Sequence, residues 1–153
     1  MPKLEIDFPD DFLGDLLDSE FQDIAEKALK ESAPLLKSEV QNACQSVIKD
    51  KSRNDLVSSI AEWKSGVKKA KTGAYMLGVS FTGKPSEKST WTSTRSNGKT
   101  RKRNTTNNDI AWWLEHGNAH QPAKPFIDRA SRNASERVVQ ECQKIFNEMV
   151  GIK

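Results

Sequence analysis

The sequence predicts an α+β domain: a long, kinked N-terminal helix and a C-terminal helix packed on a small antiparallel sheet, with a long basic loop. Three observations lead there. Apolar residues recur at helical steps over residues 20–48 and again over 126–149. Residues 57–63 and 74–81 are short runs containing Val, Ile, Trp, Tyr and Phe. Residues 82–108 lose all periodicity and hold seven Lys or Arg against one acid.

In the first helix, Phe21, Ile24, Ala25, Ala28, Leu29, Leu35, Leu36, Val40, Ala43, Cys44, Val47 and Ile48 form one stripe, with Asp18 or Ser19 as its cap. Pro34 cannot donate a backbone hydrogen bond and its ring crowds the preceding turn. Because the stripe continues in phase beyond it, a kink is expected rather than two helices that meet there. Residues 1–18 form an acidic N-terminal segment in which Phe8, Phe12, Leu13, Leu16 and Leu17 suggest a short mobile helix. It docks either on a neighbouring subunit or on its own core.

The two apolar runs are separated by Ser65-Gly66 and a basic turn ending at Gly73, and so read as an antiparallel pair. In the second, Tyr75, Leu77, Val79 and Phe81 share the core face. Ala74, Met76, Gly78 and Ser80 share the other, which is either solvated or small enough to lie against a second backbone.

Residues 82–108 are read as a mobile loop or an extended hairpin. Two functions suit it. Arg95, Lys99, Arg101, Lys102 and Arg103 contact nucleic-acid phosphate, with Trp91 free to stack on a base. Otherwise the charges keep the segment solvated, or order it against an acidic protein.

After it, Asp109 is the expected cap of a helix or turn over 110–116, whose Trp112 and Trp113 are expected in the core in preference to a subunit seam. The closing helix spans 125–150. Phe126, Ile127, Ala130, Ala134, Val138, Cys142, Ile145, Phe146 and Met149 form its stripe, Asp128 suits its first turn and Gly151 its stop.

A single domain of 153 residues can bury a sizeable core without a covalent staple. Cys44 and Cys142 both fall on apolar stripes, which favours reduced core thiols over a disulfide. The acidic N-terminus is unlike a secretory signal, and no apolar run approaches the length of a membrane span, so a cytosolic protein is expected. The net charge of +3 is unevenly spread. Residues 1–62 carry 7 Lys or Arg and 14 Asp or Glu, a net of −7; residues 63–153 carry 17 and 7, a net of +10. Such asymmetry favours head-to-tail contact between copies, which closes into a ring or runs into a filament; a merely solvated surface is the plainer alternative.

The stretch 110–130 is the most distinctive. An apolar run ends Leu114-Glu115-His116-Gly117, a short polar loop follows, and Pro122, Pro125 and Phe126 lead into the last helix, with Ala130 one turn on. Gly117 permits a backbone turn at positive φ, and the prolines set an extended approach before Phe126 anchors the helix. This pattern resembles the tail-completion (neck) proteins of long-tailed phages, the family typified by gene product ten of phage HK ninety-seven. Trp113, Leu114, Glu115, Gly117, Pro125, Phe126 and Ala130 match its motif, and His116 stands where an aromatic is commoner. Residues 52–60 resemble the family's turn into a serine-isoleucine strand start, with Asn54-Asp55 in place of threonine-glycine. The resemblance covers about two thirds of the chain and leaves 82–108 untouched.

It implies a virion structural protein of the head-tail junction that forms a homo-oligomeric ring and docks between head connector and tail. Its partners would be other junction and tail proteins, with DNA contact in the channel, and its place the virion and, during assembly, the host bacterial cytoplasm. The residues themselves favour no enzyme and no cofactor. Glu115, His116 and His120 have the spacing of a helical two-histidine metal site, but Gly117 and Asn118 interrupt the helix face and the next donor, Asp128, lies beyond two prolines. Neither cysteine has the polarised setting of a nucleophile. The reading from another class is a small nucleic-acid-binding protein whose active surface is the basic 82–108 loop.

Overall fold

The two amphipathic stripes become the two long helices of the fold. The computed structural model describes residues 3–6, 18–48, 54–94 and 96–151. In chain order these form β1 (Lys3–Ile6), α1 (Asp18–Val47), α2 (Asn54–Ser58), β2 (Ile60–Glu62), β3 (Lys68–Lys69), β4 (Tyr75–Phe81), β5 (Thr90–Thr94), β6 (Thr100–Asn104), α3 (Asn107–His116) and α4 (Phe126–Val150). The domain is α+β. The acidic leader's Phe8, Phe12, Leu13, Leu16 and Leu17 lie outside the described residues.

Helix α1 runs unbroken through Pro34, so the proline does not divide it into two helices. It packs antiparallel to α4. Arg129 of α4 bonds Ser46 of α1, Arg137 bonds Glu39, and the Cys142 thiol reaches Ser32, so rising numbers on one helix meet falling numbers on the other. Ala28, Leu36, Val40 and Cys44 of α1 share a core cluster with Phe126, Ala130, Ala134, Val138, Cys142 and Ile145 of α4. The buried Ser32 hydroxyl donates to the Ala28 carbonyl at 2.7 Å and accepts from the Cys142 thiol, so burial leaves it satisfied. Met149 departs from expectation: it is 39% exposed, the last member of a stripe whose other members are buried.

The sheet is built around β4. On one edge β1 pairs antiparallel with it, Lys3 opposite Gly78 and Ile6 opposite Tyr75. On the other, β2 pairs Ile60 with Phe81 and Glu62 with Val79, and β3 pairs Lys68 with Met76. Tyr75, Leu77, Val79 and Phe81 are buried, as their alternation predicts. They divide between two clusters: Val79 and Phe81 join the main core, while Tyr75 and Leu77 meet Ala25, Leu29 and Ala33 of α1.

One expectation needs correction. Residues 57–63 do not form one strand, because Val57 and Ser58 close α2 and only Ile60–Glu62 is extended. The hydroxyls of Ser58 and Ser59 donate back to the carbonyls of Asp55 and Leu56, holding a helical turn that the β-propensity of Val57 does not override. On the small face of β4, Ala74, Met76 and Ser80 are half-buried and the Trp63 indole covers Gly78. A Cβ built on Gly78 would overlap the Trp63 indole, so glycine is the residue that lets this ring lie on the strand. Gly78→Ala is expected to lower stability by about 1–3 kcal/mol through overpacking. A denaturant midpoint equal to that of the parent would show that the indole does not occupy that place.

Among the described residues, no helix is long and apolar enough to cross a membrane.

Candidate functional site

The motif residues converge on the joint between α3 and α4. Helix α3 begins at Asn107, earlier than expected, and its cap is Thr106 rather than Asp109. Asp109 is the third residue of a capping box: its N–H donates to the Thr106 hydroxyl and its carboxylate accepts from the Thr106 N–H. Leu114 and Ala111 carry α3 into the core. The helix ends at Gly117, whose φ of 76° and ψ of 173° suit only glycine. A Cβ there would lie 2.6 Å from the Ala123 nitrogen and 3.1 Å from the Gln121 oxygen, both backbone atoms.

The loop beyond folds back on α3. Asn118 and Gln121 form a bridge, and the Lys124 N–H donates to the Leu114 carbonyl at 2.7 Å. Pro122 and Pro125 are exposed and set this return path. Helix α4 then starts with Phe126, fully buried and edge-on to Phe81 with ring centroids 6.0 Å apart.

Pro125 precedes α4 without a side-chain cap, and Glu115 supplies it from the other helix. Its two carboxylate oxygens accept from the N–H groups of Ile127 (2.8 Å) and Asp128 (3.0 Å), filling orphan donors at the positive end of the α4 dipole. Sequence spacing alone does not reveal this partner. Glu115→Ala is expected to cost about 1–2 kcal/mol, as loss of an N-cap does, and Glu115→Gln less, because one acceptor oxygen remains. Equal losses in chemical denaturation would show that the carboxylate does not act as the cap.

The two tryptophans are not in the core. Trp112 is 55% exposed and stacks on His116, with ring centroids 4.7 Å apart, while Trp113 is half-buried. Their position on a short helix gives one face to the core, and Ala111 and Leu114 take it. His116 Nδ1 lies 3.1 Å from the Trp112 carbonyl, and His120 sits in the exposed turn. Among the described residues no group of three or more His, Cys, Asp or Glu is placed to hold a metal ion. Both cysteines are buried and free, and burial raises both thiols, Cys44 to about 12.

Residues 82–108 form an antiparallel hairpin of β5 and β6, joined through Gly98 and running into α3. Trp91 pairs with Arg103, Thr92 with Lys102 and Ser93 with Arg101. Trp91 is not simply free to stack on a base. It packs edge-on against Trp113 at 5.7 Å, and the Arg103 guanidinium stands 5.7 Å from its ring. The hairpin and the α3–α4 joint, read separately from the sequence, thus meet through two indoles. Lys99, Arg101, Lys102 and Arg103 are exposed, and Arg95 lies outside the described residues.

The base of the hairpin is held by polar groups that sequence reasoning missed. Thr105 and Asn107 are buried, the Ser89 hydroxyl donates to that of Thr105, and the Asn107 amide donates to the Thr82 carbonyl. Asp55 accepts from the Ser86 N–H and hydroxyl, which hold its carboxyl below the usual range. The Thr106-x-x-Asp109 spacing is legible as a capping box; the longer-range partners are not.

The arrangement therefore presents a cationic two-stranded arm on a braced joint. No family model, curated protein or solved structure matches the chain.

Proposed function

We propose that this chain is a phage or prophage structural protein of the head-tail junction, acting in tail completion or in the neck. It works by assembly: copies form a ring that docks between head connector and tail. The supporting observation is that the motif residues Trp113, Leu114, Glu115, Gly117, Pro125 and Phe126 serve one mechanical end. Glu115 caps α4, Gly117 makes the return possible, and Phe126 locks the helix into the core. A braced joint beside a protruding charged arm suits a part that must hold its shape while the arm finds a partner.

The test is composition. Phage particles purified on a density gradient from the strain that encodes the chain should contain it at a fixed stoichiometry to tail and connector proteins. Its absence from intact particles would overturn the proposal.

A second reading has an observation of its own: Lys99, Arg101, Lys102 and Arg103 cluster on one exposed hairpin next to Trp91. This is a surface for a nucleic-acid backbone, either in a virion channel or as the whole function. Duplex binding would then weaken steeply between low and physiological salt, and changing these four residues to Gln would abolish it. Binding that ignores salt, or that survives the four changes, would eliminate this role.

A further inference from the structure

The start of α4 and the end of α1 form a groove lined by Val47, Pro125 and the cations Lys124, Arg129 and Arg132, with Asp128 as its acid. Arg132 is paired with Asp128 on the open surface, and Arg129 donates to the Ser46 hydroxyl. Such exposed pairs exchange readily for others. The long stems of these residues add apolar surface to that of Val47 and Pro125.

One segment of this chain has the complementary chemistry. Residues 7–17 carry Asp7, Asp10, Asp11 and Asp15, no Lys or Arg, and Phe8, Phe12, Leu13, Leu16 and Leu17. It joins two elements held at one place: Ile6 pairs with Tyr75, and Phe21 of α1 packs edge-on against the same tyrosine at 5.8 Å. From Phe21 to Val47 the helix rises about 40 Å. A linker of this length, tied at both ends, loops out no further than roughly 20 Å even when fully extended. The leader of a chain therefore does not reach the groove of that same chain.

We infer that the groove receives the acidic leader of a second copy. The contact is head-to-tail, since the groove and the start of α1, to which the leader is joined, are at opposite ends of the α1–α4 pair, and repetition gives a ring or an open filament. The hairpin cations are a poorer match. β6 has no apolar side chain, and the indole beside it, Trp91, already packs on Trp113, which leaves little apolar surface for the five large side chains of the leader. The inference rests on the assembly reading above and names the surfaces that would mediate it.

The test is a charge exchange on the full chain. One variant carries Lys124→Glu, Arg129→Glu and Arg132→Glu; the other carries Asp10→Lys, Asp11→Lys and Asp15→Lys. Arg129 and Arg132 are exposed and Lys124 is half-buried, so the groove variant is expected to fold; should it not, Gln at the three positions gives the same loss of association. Light scattering should find a multimer for the parent that weakens with salt, and about 100-fold weaker association for each variant alone. Mixing the two in equal amounts should restore the multimer, because each leader then meets a groove of opposite charge. A parent that stays monomeric at every concentration, variants that associate like the parent, or a mixture that stays dissociated would overturn the inference. A monomeric parent that is nonetheless found in particles would sink this contact alone, whereas absence from particles would sink the junction function.

Discussion

Phe126→Ala is expected to lower the unfolding free energy by about 3–5 kcal/mol, the range for removing a fully buried aromatic ring. The ring fills the space where α4 starts, contacts Phe81 of the central strand, and sits one residue before the N–H groups that Glu115 caps. Its loss leaves a cavity at the point where sheet, α3 and α4 meet. Phe126→Leu should recover much of the stability, because most of the volume returns. A melting temperature unchanged by Phe126→Ala would contradict the anchor role.

Gly117→Ala should be of similar size, at about 3 kcal/mol or more, although it adds a single methyl group. Two effects combine. The backbone sits at a φ and ψ that cost a non-glycine residue about 1–3 kcal/mol. The new Cβ also meets the backbone of Gln121, Pro122 and Ala123, which cannot rotate away like a side chain. Gly98→Ala is the internal control, since its φ of 77° is nearly the same but nothing lies within 4 Å of the added atom. Equilibrium unfolding should rank Gly117→Ala well below Gly98→Ala, and equal losses would show that the close approach at the joint is not needed.

These two positions also mark what the sequence makes legible. Gly117, Pro125 and Phe126 can be picked out because glycine, proline and an isolated aromatic have few reasons to occur in that order. The α4 stripe is legible for a related reason: a helix packed along one side writes its burial into a 3.6-residue period, and of the expected stripe Met149 alone is exposed. Residues 57–63 misled because β-branched side chains fit both a strand and a short turn, and Ser58 and Ser59 decided the matter through local hydrogen bonds. β1 alternates Lys, Leu, Glu and Ile, yet four residues are too few for a period to stand out.

The extended hairpin was legible only as one of two alternatives for residues 82–108, for the opposite reason. With every residue of β6 exposed, no burial pattern exists to be read, and pairing depends on backbone bonds that any sequence can make. The Trp91–Trp113 contact and the Glu115 cap are tertiary. Twenty-two positions separate the two indoles, and the cap joins residues twelve and thirteen apart, so no local rule connects them. The double tryptophan looked like core because indoles are large. In the structure Ala111 and Leu114 face the interior, and Trp113 turns to brace the arm.

The most direct measurement of the proposed junction function is electron microscopy of the phage particles made by the strain that encodes this chain when its gene is disrupted. The expected result is filled heads and complete tails that remain unjoined, with joining restored when the intact chain is supplied. Normal yields of joined, infectious particles from the disrupted strain would contradict the account.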